Sequence, residues 1–183
     1  KMGMSQFKKR EYHKARVFFK EALGLDPKYV DGYISIGDSY TIEGRHEDAV
    51  AFWGKMIEAV PEEGHQALDR LQKALYDLGR FGEMENICQK IIEQVPNGIE
   101  AKLTLANIYK KKGELDAAEK LLAEIVETNP NDANVMMQLV RLYLEKRENQ
   151  KLDRLFRTVE RNFLRRNLIV TKTAGGNTVI SKH

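Results

Sequence analysis

At 183 residues, with 42% hydrophobic side chains, the chain has the length and apolar content of one globular domain with a core of its own. No run approaches the roughly 18 apolar residues of a membrane span, the opening KMGMSQFKKR lacks the apolar stretch of a signal peptide, and a lone Cys88 excludes an internal disulfide or a cysteine cage for zinc. The first residue is Lys1 rather than methionine, which reads as an excerpt of a longer protein, and the single thiol suits a reducing compartment such as the cytoplasm.

The net charge of +3 is unevenly spread. Residues 1–29 carry +5, residues 30–63 carry −6, residues 64–130 carry −2 and residues 131–183 carry +6. Basic ends around an acidic middle suit contact with an acidic protein or an anionic surface, and equally a solvated surface of mixed charge.

Pro27, Pro61, Pro96 and Pro130 stand 34, 35 and 34 residues apart, and other residues fall into register with them, which is the mark of an internal repeat. Residues 1–29 form a truncated first unit, with Ala15 and Phe19 ahead of Pro27. In residues 30–63, Tyr33, Ile36, Gly37 and Tyr40 recur at helical spacing on one face of a first helix. Gly44 then suits the left-handed residue that ends it, Ala49 and Trp53 line a second helix, and Pro61 stops that helix.

The next unit, residues 64–98, repeats the frame with Gly79, Met84, Cys88 and Pro96. It departs in having Gln72 where a small residue is expected and one extra residue between Pro61 and Gly79, so its packing is expected to be locally adjusted. Residues 99–132 are regular: Leu105, Ala106 and Tyr109 in the first helix, Gly113 at its end, Leu115, Ala118, Leu122 and Ile125 in the second, and Pro130 as the stop. Residues 133–164 have Val140 at the small position, Tyr143, Arg147 in place of glycine, Leu152 and Phe156, a longer second helix and no closing proline, as a terminal capping unit would. Residues 165–183 leave the repeat; NLIVTKTAGGNTVISKH reads either as two short strands around Gly175, Gly176 and Asn177 or as a disordered tail.

These positions resemble the tetratricopeptide repeat, a helix pair of about 34 residues with a small residue and a tyrosine in its first helix, alanine in its second and proline at its end. Tyr33, Ile36, Gly37, Tyr40, Gly44, Ala49, Trp53 and Pro61 occupy the signature positions. The resemblance implies an all-α fold, an α-solenoid of stacked antiparallel helix pairs, and a non-enzymatic scaffold or adaptor that binds proteins. The stretch from FFKEALGLDPKYVDGYISIGDSY to VETNPND is also similar to the cytoplasmic repeats of the bacterial lipopolysaccharide assembly protein B family. That likeness would imply an adaptor at a membrane, controlling envelope lipid synthesis through a membrane protease; the family's membrane anchor and four-cysteine metal module have no counterpart in these residues.

Chemistry is sparse. His13, His46, His65 and His183 show no ligand spacing with each other or with Cys88, and no P-loop accompanies Gly175 and Gly176. We expect no catalytic residue, no metal and no cofactor. Cys88 and Trp53 fall at the same apolar repeat position and read as core.

In the tetratricopeptide family the first helices line the hollow side of the stack. Residues pointing away from the packing stripe by the period of about 3.6 are therefore groove candidates. They are Ile34, Asp38 and Ile42; Asp69, Lys73 and Tyr76; Leu103, Asn107, Lys110 and Lys111; and Met137, Arg141 and Leu144. A clamp for a terminal carboxylate, as in some chaperone-binding members, is not matched, because Leu103 and Met137 stand where its paired lysines would be. A peptide or an amphipathic helix anchored by aliphatic contacts fits this wall better.

Arg154, Arg157, Arg161 and Arg165 make a basic face on the last helix, opposite Leu152, Leu155, Phe156, Val159 and Phe163. A solvated face, contact with an acidic protein or anionic membrane surface, and contact with nucleic acid are its readings, the last disfavoured because the rest of the chain is not basic. The expected function is a cytoplasmic interaction scaffold with a protein or peptide partner. The alternatives are the regulatory arm of a larger membrane-associated assembly or enzyme, and a self-assembling protein in which basic ends meet the acidic middle of a neighbouring copy.

Overall fold

The computed structural model describes residues 2–80, 82–172 and 178–182, with side chains described for 2–80, 82–159 and 161. The helices are α1 (Met2–Lys8), α2 (Tyr12–Leu25), α3 (Val30–Ile42), α4 (His46–Ala59), α5 (Leu68–Asp77), α6 (Glu83–Gln94), α7 (Ile99–Lys112), α8 (Leu115–Thr128), α9 (Ala133–Glu145) and α10 (Asn149–Asn167). The fold class is all-α, as expected. Past the helices, β1 (Leu168–Lys172) pairs antiparallel with β2 (Thr178–Lys182), Leu168 opposite Lys182, which answers to the hairpin reading of the tail. Gly175, Gly176 and Asn177 lie outside the described residues. The chain forms two compact units, Lys1–Lys112 and Gly113–His183.

The repeat is marked most regularly by backbone conformation. Arg10, Gly44, Gly79, Gly113 and Arg147 all have positive φ, at 62°, 73°, 69°, 80° and 58°. After α3 the amide of Gly44 donates to Thr41 O and that of Arg45 to Tyr40 O; Gly79 and Arg80 repeat the pattern on Tyr76 O and Leu75 O. This is the Schellman arrangement, which satisfies the last carbonyls of a helix and turns the chain back. Arg10 and Arg147 adopt the same turn without glycine's freedom, so arginine at position 147 does not alter the fold of the last pair.

In the N-terminal unit, packing within a helix pair depends on matched sizes. A Cβ on Gly3 would stand 2.9 Å from Phe19 Cε1, and one on Gly37 would stand 2.2 Å from Trp53 Nε1. Trp53 is 1% exposed. The third pair has Gln72 and Cys88 at these positions; Cys88 is buried and Gln72 is exposed, so the glycine-to-ring contact of the second pair is not repeated. Its extra residue is taken up in a 3-10 helix, Pro61–Ala67, ahead of a short α5. The tighter winding of that turn sets Gly64 against α6, where a Cβ would lie 3.3 Å from Ile91 Cδ1.

Ion pairs join successive pairs of helices. Arg16, nearly buried, donates to Ser39 Oγ at 3.1 Å, reaches Glu43 at 3.0 Å and lies over the Tyr40 ring. Arg70 meets Asp38 at 2.8 Å, Lys90 meets Glu58 at 2.8 Å, and Lys112 meets Glu85 at 2.8 Å.

In the C-terminal unit, Asp132 caps α9 by accepting from the amides of Asn134 and Val135, at 3.0 and 3.1 Å. Lys146 gathers Asp116 (2.6 Å), Glu148 (2.9 Å) and Glu119, and Lys151 adds a second ammonium to Glu119 and Glu148. The ammonium of Lys146 holds the Asp116 carboxyl below its ordinary pKa; Lys151 first, then Lys146, do the same for Glu148. Hydrogen bonds to these carboxylates raise both lysines.

The last pair differs from the sequence expectation in one respect. Phe156, placed on the apolar face of α10 by the repeat frame, is 53% exposed, and Leu155 is buried instead. Val140 and Leu152 are bulkier than the glycine and alanine at the same positions of the second pair, so the helix faces there differ in shape from those that enclose Trp53.

Candidate functional site

The first-helix positions predicted to face away from the core do so: none is buried, and Ile42, Tyr76, Met137 and Leu144 are large apolar side chains left exposed. Asp38, half-buried, is tied to Arg70 and so helps join two helix pairs.

Within the N-terminal unit, α5 and α7 flank a trough in two halves that share Gln72, Ile108 and Lys111. One half, a cavity of about 450 Å³, is walled by Leu75, Tyr76, Met84 and Ile108, with Gly82, Glu85 and Lys112 at its edge. The other, about 500 Å³, is lined by Asp69, Thr104, Asn107 and Lys110. The trough thus brings together Asp69, Tyr76, Asn107, Lys110 and Lys111 from the groove candidates, while Ile34, Ile42, Lys73 and Leu103 do not line it. Met137, Arg141 and Leu144 lie on α9 of the other unit, Arg141 exposed.

Charge divides the trough as well. Lys112 is neutralised by Glu85, whereas Lys111 is exposed and makes no ion pair among the described residues. An apolar half beside a half carrying lysines and an amide is what a side chain with a neighbouring acidic group would complement. Gln72, Met84, Glu85 and Ile108 were not among the predicted wall residues; the departure at Gln72 was the visible signal.

Among the described residues, Cys88, His13, His46 and His65 make no hydrogen bond or ion pair with one another. Cys88 is fully buried and its thiol is pushed up to about 12 by burial, the opposite of an activated nucleophile. His65 Nδ1 contacts Glu62 O at 3.2 Å and His46 Nε2 stands 3.8 Å from Asp77. Asp116, Glu119 and Glu148 bring ligand atoms within 4.8 Å of each other, yet Lys146 sits among all three and is their cation. On α10, Arg154, Arg157 and Arg161 are exposed; Arg165 lies in the same helix, its side chain outside those described.

The tetratricopeptide repeat family matches residues 65–139 and again residues 1–29, together more than half of the chain. The chain belongs to the tetratricopeptide repeat family. Its fold is similar to that of the crystal structure of MamA, at 19% identity over 88% of this chain and 94% of that one, with a TM-score of 0.59. It is also similar to YrrB, a tetratricopeptide repeat protein with an unusual peptide-binding site (21% identity, 86% and 80% covered, TM-score 0.53). PilF of Pseudomonas aeruginosa is a third such structure (15% identity, 87% and 72% covered, TM-score 0.56).

No curated protein matches the chain, so the lipopolysaccharide-assembly resemblance gains nothing from that comparison. Tetratricopeptide repeats bind proteins or peptides, and the chain is an interaction scaffold of this kind. Among the described residues no helix is long and apolar enough to cross a membrane.

Proposed function

We propose that this tetratricopeptide repeat chain is a non-enzymatic adaptor that holds a peptide or helix of a partner protein against the first helices of its repeats, with the trough between α5 and α7 as receptor. The observation that carries the reading is the convergence of Asp69, Tyr76, Asn107, Lys110 and Lys111, chosen from helical phase alone, on one two-part cavity. An apolar anchor would enter beside Tyr76 and Met84, and charge at Lys110 and Lys111 would orient it. The other first-helix candidates of the same unit, Ile34, Ile42, Lys73 and Leu103 among them, would extend the contact. The test is affinity capture with the intact chain and with Tyr76→Ala/Lys111→Glu, both checked for helicity. A partner kept by the first and lost by the second supports the trough; equal retention moves the site elsewhere.

A further inference from the structure

The trough does not account for a second concave feature, which lies wholly in the C-terminal unit. A slot of about 440 Å³ has Val126, Leu139 and Leu155 in its floor, Glu127 of α8 on one rim, and Arg154 and Thr158 of α10 on the other. We propose that this slot is a separate docking surface for an acidic amphipathic helix of a partner protein, whose apolar side chains enter the slot and whose carboxylates meet Arg154, Arg157 and Arg161.

Charge is the first support. Arg154, Arg157 and Arg161 are exposed, and among the described residues none makes an ion pair. The two lysines beside them behave otherwise: Lys146 and Lys151 are both saturated by Asp116, Glu119 and Glu148. The unit therefore neutralises these two lysines internally and leaves a row of guanidinium groups unmatched. Guanidinium forks are well suited to carboxylates, which they can hold through two parallel hydrogen bonds.

Placement is the second. Spacings of three and four keep the arginines on one side of α10; Arg154 lines the slot with Thr158, and Arg157 and Arg161 continue from it along that side of the helix, beside the slot. An occupant must then present apolar and acidic groups on adjoining faces, as an amphipathic helix does. Glu127 on the facing rim favours such a helix over a bilayer or a nucleic-acid backbone, because a uniformly anionic surface would bring negative charge against it. The proposal does not depend on the trough between α5 and α7.

The test uses the whole chain and a fluorescein-labelled helical peptide built from the repeat Glu-Leu-Ala-Glu-Leu-Ala-Ala, whose leucines and glutamates lie on adjoining faces. Binding is read by fluorescence anisotropy, beside a counterpart with glutamine for glutamate. The proposal expects the acidic peptide to bind more tightly than its counterpart. It also expects Arg154→Glu/Arg157→Glu/Arg161→Glu to weaken binding at least about tenfold when introduced into the Tyr76→Ala/Lys111→Glu chain, a background in which the trough does not contribute. Circular dichroism of the charge-reversed variant separates lost contact from lost fold. Equal binding of the two peptides, or no effect of charge reversal in a helical variant, overturns it. Arginine-dependent binding to phosphatidylserine vesicles without peptide binding also overturns it, as does arginine-dependent self-association in sedimentation, for then a membrane or a second copy is the occupant.

Discussion

A methyl group added at Gly37 would stand 2.2 Å from the indole Nε1 of Trp53. The close approach of α3 and α4 thus rests on one residue having no side chain and its neighbour having the largest one. The same relation holds more loosely between Gly3 and Phe19 in the first pair, where the added carbon would lie 2.9 Å from the ring.

Gly37→Ala should therefore cost about 2–3 kcal/mol, toward the upper end of what overpacking a core does. Shrinking the indole as well, in Gly37→Ala/Trp53→Leu, gives the combination of Ala106 and Leu122 found two repeats on, and should cost less than the sum of the two single changes. Urea unfolding of the four proteins in the cycle measures the coupling; additive losses would show that the two positions do not share space.

The left-handed turn makes a prediction of opposite sign. Arg147 holds φ at 58°, a region where a Cβ costs about 1–2 kcal/mol, and its side chain is exposed. Arg147→Gly should raise stability by about 1 kcal/mol, less what glycine's added freedom in the unfolded chain takes back. Gly44→Ala, at φ 73°, should lower it by a similar amount. Thermal melts of both variants decide the matter.

Lys146 should give the C-terminal unit a pH signature. Asp116 and Glu148 have depressed pKa values when folded, so the stability they contribute is present above the ordinary carboxylate range and is lost as pH falls through their folded values. Lys146 and Lys151 are raised, so their contribution is full below the ordinary lysine range and is lost only as pH rises through the folded values. Lys146→Met should be less stable than the parent chain near neutrality, and the gap should close as the medium is taken below about pH 4. Denaturation midpoints across that range check it.

Cys88 should be inert in the folded protein. With its thiol pushed up to about 12 it carries on the order of a thousandfold less thiolate near neutral pH than a free cysteine, behind a fully buried surface. Iodoacetamide should leave it unmodified until guanidinium unfolds the chain, as followed by mass spectrometry.

What could be read from the sequence was what depends on local rules. Gly44, Gly79 and Gly113 announced left-handed turns because a glycine between two amphipathic stretches has few other uses, and the prolines announced the ends of second helices. The turns at Arg10 and Arg147 carried no such residue, so only the repeat frame could point to them. Side-chain partners across joints were not legible: the near burial of Arg16, the tie between Arg70 and Asp38, and the exposure of Phe156 all depend on what a neighbouring helix presents. For the trough, phase along the helices selected Asp69, Tyr76, Asn107, Lys110 and Lys111. The contributions of Met84 and Glu85 come from a second helix, which a first-helix rule does not consider.

The most direct test of the trough places a photo-reactive benzophenone residue at Asn107, inside it, or at Glu93, an exposed position on α6 outside it, and irradiates each protein in cell extract. The account predicts a discrete cross-linked partner from position 107 that disappears when Tyr76→Ala is added, and none from position 93. The same partner captured from position 93 alone, or from position 107 regardless of Tyr76, would contradict it.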